Sequence, residues 1–204
     1  MSPKLFGIVL VGTFLFSGSR CLANVITFDD LPQDCSGNAI PDGYRGLDWF
    51  VFGHDNATAV GCYPSGLATV LTSFPNVAFG NDGASITSST PFELLSGYFA
   101  AVWNDGLDVE ITAKLGSSVV GTESLTLNTT AKVFEMFNFG PVTELDFSSS
   151  GGTPSPTLIL GGGTQFAVDN LTVDFVPEAS SFKMSVVVLM ALSANCIFGR
   201  ARRL

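Results

Sequence analysis

The chain has 204 residues, with 9 Lys+Arg against 18 Asp+Glu and a formal charge of −9. All the acidic residues fall within residues 24–178, where only Arg45, Lys114 and Lys132 are basic, so that stretch sets 3 positive against 18 negative charges, or −15. Phosphate backbones are bound by clustered Lys and Arg, so this balance argues against nucleic acid and suits divalent cations, neutral glycans or plain solubility.

Residues 1–23 carry one lysine, then the apolar run LFGIVLVGTFLF, then SGSRCLA with a small residue at the end. These are the n-, h- and c-regions of a secretory signal peptide, and the mature chain is expected to start near Asn24. Residues 24–176 are about the length of one domain. VITF (25–28) opens it as a strand, and LDWFVF (47–52) follows as another. Cys35 and Cys62 are the only cysteines in this body. A disulfide between them would close a loop of about 28 residues, for which chain entropy gives roughly 3–4 kcal/mol; two buried thiols are the other reading, disfavoured in an oxidising compartment. HDNAT holds the only histidine, His54, and reads as a polar loop. A Ser-His-Asp site would have to use it, and zinc lacks its usual ligands.

NVAF (76–79) and ASITSS (84–89) are strand-like, with NDG at 81–83 as a turn between them. FELLSGYFAAVW (92–103) ends in a second NDG at 104–106, which predicts a hairpin into LDVEITAKL (107–115). There Leu107, Val109, Ile111, Ala113 and Leu115 alternate with Asp108, Glu110, Thr112 and Lys114, the period of a half-buried strand. SLTL (124–127), KVFEMFNF (132–139), TELDF (143–147), TLIL (157–160) and FAVDNLTVDF (166–175) bring the total to about ten strands, separated by Gly, Pro, Ser and Asn clusters. No useful helical period occurs outside the termini. The expected fold is all-β, an antiparallel β-sandwich and most simply a jelly roll, with apolar helical segments at both termini.

Strand parity singles out two carboxylates. Asp169 alternates in step with Leu171, Val173 and Phe175, and Asp30 with Ile26 and Phe28. A buried carboxylate must be paired, hydrogen-bonded or bound to a cation. One reading is a structural Ca²⁺ site formed by Asp30 and Asp169, completed by carbonyl oxygens and by Asp29 or Asn170. The other is a bulge that flips the register at Asp169 and a turn that begins at Asp30 ahead of Pro32. Tyr44, Trp49, Tyr63, Tyr98 and Trp103 could stack on sugar rings, although a β-domain of this size also needs large side chains for its core. Acidic residues are numerous enough to supply a glycosidase pair by chance, but none stands in a recognisable constellation. Asn56, Asn128 and Asn170 fit the N-glycosylation acceptor pattern, which matters only in a eukaryotic host.

Residues 177–204 read differently. Val186–Phe198 is mostly apolar but shorter than the roughly 20 residues that span a bilayer as a helix. The Arg200, Arg202 and Arg203 cluster after it is of the kind that orients a membrane-inserted segment. VPEAS, an apolar stretch and RARR together resemble the PEP-CTERM sorting signal of exported bacterial proteins, with Pro177 and Glu178 matching and Ala179 in place of the second proline. ITFDDLP, IPDGYRGLDW, AVWNDGLDVEI and FAVDNLTV are similar to phrases in the β-rich region of many such proteins. The resemblance implies sorting by an exosortase-like membrane enzyme to the cell surface or exopolysaccharide matrix. The expected function is thus a non-enzymatic, secreted or surface-associated β-sandwich associated with extracellular polysaccharide. A lectin-like carbohydrate-binding module with structural calcium is the alternative, and a secreted polysaccharide hydrolase a third reading.

Overall fold

A computed structural model describes residues 23–59, 65–158 and 161–176. The expected leader up to Leu22, the tail residues Pro177, Glu178, Arg200, Arg202 and Arg203, the apolar helical segments at both termini, and Cys62 and Tyr63 lie outside the described residues. Among the described residues no helix is long and apolar enough to cross a membrane.

The described chain is all-β and antiparallel throughout. Its strands are β1 (Asn24–Ile26), β2 (Asn38–Ala39), β3 (Asp48–Asn56), β4 (Asn76–Ala101), β5 (Asn104–Leu115), β6 (Ser118–Leu127), β7 (Val133–Met136), β8 (Val142–Pro154) and β9 (Phe166–Phe175), with one short helix, α1 (Leu67–Val70). They pair in the order β1-β9-β4-β8-β5-β6, with β3 and β7 also on β4 and β2 on β3.

β4 changes partners along its length. Its first half pairs with β3 over Asn76–Thr87 and with β8 over Ala84–Thr87. Its second half, from Phe92, pairs with β9 and, over Ser96–Phe99, with β7. Phe166–Val168 of β9 pairs with both Ala78–Gly80 and Phe99–Ala101, so the two halves of β4 flank the start of β9. One pairing group is therefore β3, early β4, β8, β5 and β6; the other is β7, late β4, β9 and β1. Both feed one apolar cluster: Ile86, Ile111 and Phe147 from the first, Leu94, Phe99 and Leu171 from the second. Edge-on ring contacts of Phe52 with Trp49, Phe147 and Phe166 cross this core at centroid distances of 5.4–5.8 Å. Successive strand residues point to opposite faces. Ala100, Val102 and Ala167 accordingly leave the main core and join Val70 of α1 and Val77 in a second, smaller cluster.

Residues 107–115 form the strand their period predicts, with Leu107, Val109, Ile111 and Ala113 buried. Three local expectations are corrected. The NDG at 104–106 does not close a hairpin with β4. Instead Asn104 and Asp105 already pair with Pro154 and Thr153, so β5 lies between β6 and β8. The NDG at 81–83 bends β4 without ending it, Gly83 taking a left-handed φ of 80° that glycine adopts freely. Pro156 and Thr157 form a turn closed by Leu158 N–H donating to Ser155 O, so no strand starts at Thr157; residues 159–160 lie outside the described set.

A bulge governs the register of β9. Ser96 faces Thr172 and Tyr98 faces Asp169, so two β9 residues, Asn170 and Leu171, oppose the single Gly97. Asn170 takes a left-handed φ of 49°. Gly97 is the residue this crowding requires, because a Cβ there would stand 2.5 Å from Leu171 Cδ2. Gly97→Ala is therefore expected to lower stability by about 1–3 kcal/mol, read as an earlier thermal or urea midpoint. An unchanged midpoint would mean that Leu171 does not pack against Gly97 as described.

Candidate functional site

The bulge and a turn decide where the expected cation ligands lie. Phe28 takes a left-handed φ of 63°, and Leu31 N–H donates to Phe28 O in a tight turn. The parity that put Asp30 on the Ile26 face ends there. Asp30 is exposed: it accepts from the Tyr44 hydroxyl at 2.6 Å and from Arg45 Nη2 at 2.7 Å. The Tyr44 bond, with help from Arg45, draws the Asp30 carboxyl below its ordinary value. Burial, reinforced by the bond to Asp30, pushes the Tyr44 phenol up to about 12.

Asp169 is fully buried, but the bulge turns it off the Leu171 and Val173 face. It accepts from Thr72 N at 2.6 Å, Ser73 N at 2.9 Å, Ser73 Oγ at 3.3 Å and Asn170 N at 2.7 Å. Burial raises its carboxyl above the ordinary range, the nearby Asp29 charge adding to that and the three backbone bonds opposing it. Asp29 itself accepts from Asn76 N at 3.1 Å, and Asn170 Oδ1 is buried without a partner among the described residues. Asp30 and Asp169 thus have different partners: one holds a surface Tyr-Arg pair, the other ties the loop before β4 to β9. Among the described residues no group of three or more His, Cys, Asp or Glu side chains is placed to hold a metal ion.

The remaining polar clusters also hold backbone. Asp105 Oδ1 accepts from both the backbone N and the hydroxyl of Thr129 at 2.7 Å, and that hydroxyl meets Ser155 Oγ at 2.9 Å. Asp55 accepts from Gly37 N, and Asp34 from Ser36 N and Asn38 Nδ2, beside Cys35, which is disulfide-bonded. His54 lies not in a loop but inside β3, paired with Asn38 and Ala78. It is 1% exposed, and its Nδ1 has no hydrogen-bond partner among the described residues. Of the glycosylation acceptors, Asn128 is exposed, Asn56 is buried and Asn170 lies in the bulge.

The aromatic candidates divide. Trp49 is buried against Phe28, and Tyr44 packs against both. Trp103 donates from Nε1 to Gln165 Oε1 at 2.5 Å. Among the described candidates only Tyr98, partly buried, lies on the outer side of late β4. Directly paired residues share a face, which places side chains there in transverse rows. One row is Met136, Ser96, Thr172 and Val25; the next is Phe134, Tyr98 and Asp169; on the other side lies Glu93 with Asp174. Phe134 is 50% and Met136 73% exposed. The Phe134 ring sits 4.9 Å from Tyr98 at 47°. Lys132 Nζ lies 5.2 Å from the Tyr98 centroid and donates to Leu71 O and Thr72 Oγ1 at 2.8 and 2.9 Å. Phe134 and Met136 escaped the sequence reading of aromatic candidates, although VFEM alternates. What marks them is that β7 pairs only with β4.

No family model and no curated protein sequence matches the chain. Among solved structures, a DUF4465 family protein from Bacteroides ovatus is similar at 10% identity over 74% of this chain and 82% of its own, with a TM-score of 0.42. A structure titled "CBM4 structure and function" is similar at 15% identity over 74% of this chain and 97% of its own, with a TM-score of 0.29. Overlap at these scores assigns this chain neither a fold family nor a ligand.

Burial lowers the His54 pKa, outweighing the charges of Asp34 and Asp55, which raise it. The fold therefore disfavours the imidazolium relative to the unfolded chain. The resulting stability is present above the unfolded pKa of about 6.5 and lost as pH falls below it. Relative to His54→Gln, which shares the opposing contribution of the raised Asp55 and Asp169 carboxyls, the wild-type unfolding midpoint is expected to drop between about pH 7.5 and pH 5. A difference between the two midpoints that stays constant across the window would refute the assignment.

Proposed function

We propose that this chain is an exported, non-enzymatic β-sandwich protein that associates with extracellular polysaccharide. The observation that carries the reading is the outer face of late β4, which exposes Phe134 and Met136 beside the hydroxyls of Ser96 and Thr172. A sandwich is supported by two pairing groups contributing to one core, the arrangement of two sheets packed face to face. The non-catalytic reading is supported by the burial of the only histidine and by carboxylates occupied with backbone and turns.

Export and sorting rest on the terminal segments: a leader over residues 1–23, and a PEP-CTERM-like tail over 177–204 read by an exosortase-like enzyme through Pro177, Glu178 and the Arg200, Arg202 and Arg203 cluster. We further assign the partner of the Cys35 disulfide as Cys62, the only other cysteine of the body. The test is the intact mass and location of the protein in a host that makes exopolysaccharide. The expected result is a chain beginning near Asn24, recovered with the polysaccharide fraction and released when that polymer is enzymatically degraded. A chain retaining Met1 in the cytosol, or an exported chain wholly in the free medium, would contradict the reading.

A further inference from the structure

The outer face of late β4 is covered at its Asp169 end by the loop after α1, and beyond that loop it exposes Phe134, Met136 and Val25; its chemistry varies by row. Three strand spacings separate Met136 from Val25, about 14 Å at the usual spacing, with Ser96 and Thr172 between them. On one side the Phe134 ring is propped against Tyr98, whose position Lys132 fixes through its bonds to the loop before β4. On the other side Glu93 faces Asp174, and Asp174 Oδ1 is buried with no hydrogen-bond donor among the described residues.

We infer that this face binds an uncharged glycan chain lying across the strands, an assignment that rests on the polysaccharide-associated reading above. A pyranose ring has an apolar C–H side and a rim of hydroxyls. The Phe134 ring and the Met136 thioether offer apolar surface to the first. The Ser96 and Thr172 hydroxyls offer hydrogen bonds to the second. Two competing occupants fit less well. An anionic polymer would meet Glu93 and Asp174 on a chain whose residues 24–178 carry −15. A second copy of the chain would bury the same two carboxylates with no described Lys or Arg ion-paired to either. Because Phe134 is braced before any ligand arrives, binding loses little side-chain freedom at that position.

The experiment is affinity electrophoresis of the purified exported protein in native gels containing hydroxyethylcellulose, galactomannan or mixed-linkage β-glucan, with alginate as the anionic probe. Wild type is expected to be retarded by at least one neutral polymer and not by alginate. The variant Phe134→Ala with Met136→Ala should weaken that retardation on the order of tenfold. Val119→Ala with Val120→Ala, exposed side chains on β6, should leave it unchanged. Retardation that survives the Phe134 and Met136 changes would overturn this site while leaving polysaccharide association intact. Wild type unretarded by all three neutral polymers would overturn both. Retardation by alginate alone, or a wild-type dimer that the double variant makes monomeric, would assign the face to another occupant and overturn the proposal.

Discussion

The structure depends on β4 running unbroken from Asn76 to Ala101 while exchanging one set of partner strands for another. Because both halves pair with β9, and the first half also with β3 and β8, hydrogen bonding along this one strand links the two pairing groups. The main core collects where their inner faces meet, through Ile86 and Phe147 from one and Phe99 and Leu171 from the other. The outer faces inherit what remains. At the end near Ala100 and Ala167, α1 and the loop after it cover the sheet, and Asp169 holds that loop through Thr72 and Ser73. Beyond that loop the same sheet is open, and Phe134 and Met136 stand exposed on it.

Much of this was legible wherever period two holds without interruption. Leu107 through Ala113 announced β5 and its buried side, and the class, all-β and antiparallel, followed from many such segments. Parity failed where the backbone leaves the extended region. Phe28 at a left-handed φ released Asp30 to the surface, and Asn170 in the bulge inverted the side on which Asp169 lies. Neither residue type demands that conformation. It is imposed by tertiary context, by the turn that carries Asp30 to Tyr44 and by the close approach of Leu171 to Gly97. Strand partners were likewise not legible: the NDG before β5 suggested a hairpin, yet β8 comes from far along the chain to take the place beside β5. Phe134 and Met136 look like core residues in sequence and become surface because β7 is short and pairs only with β4.

The acidity of the chain acquires a physical sense from these placements. Several carboxylates cap backbone N–H groups in loops, as Asp169, Asp105, Asp55 and Asp29 do, and need no basic residue as partner. The few described basic side chains have specific tasks. Lys114 pairs with Glu144 and Asp146 between β5 and β8, Arg45 binds Asp30, and Lys132 braces Tyr98. The outer face of late β4 is left with aromatic, thioether, hydroxyl and carboxylate groups, a mixture better matched to a polyol than to a polyanion or to an apolar protein surface.

The most direct test of this account is amide NMR of the purified protein titrated with hydroxyethylcellulose, galactomannan and mixed-linkage β-glucan in turn. The account predicts that shift changes concentrate at Ser96–Tyr98, Phe134–Met136 and Thr172–Asp174, with β5 and β6 unmoved. Changes centred instead on the Asp30, Tyr44 and Arg45 cluster, or on the tip joining β5 to β6, would contradict it.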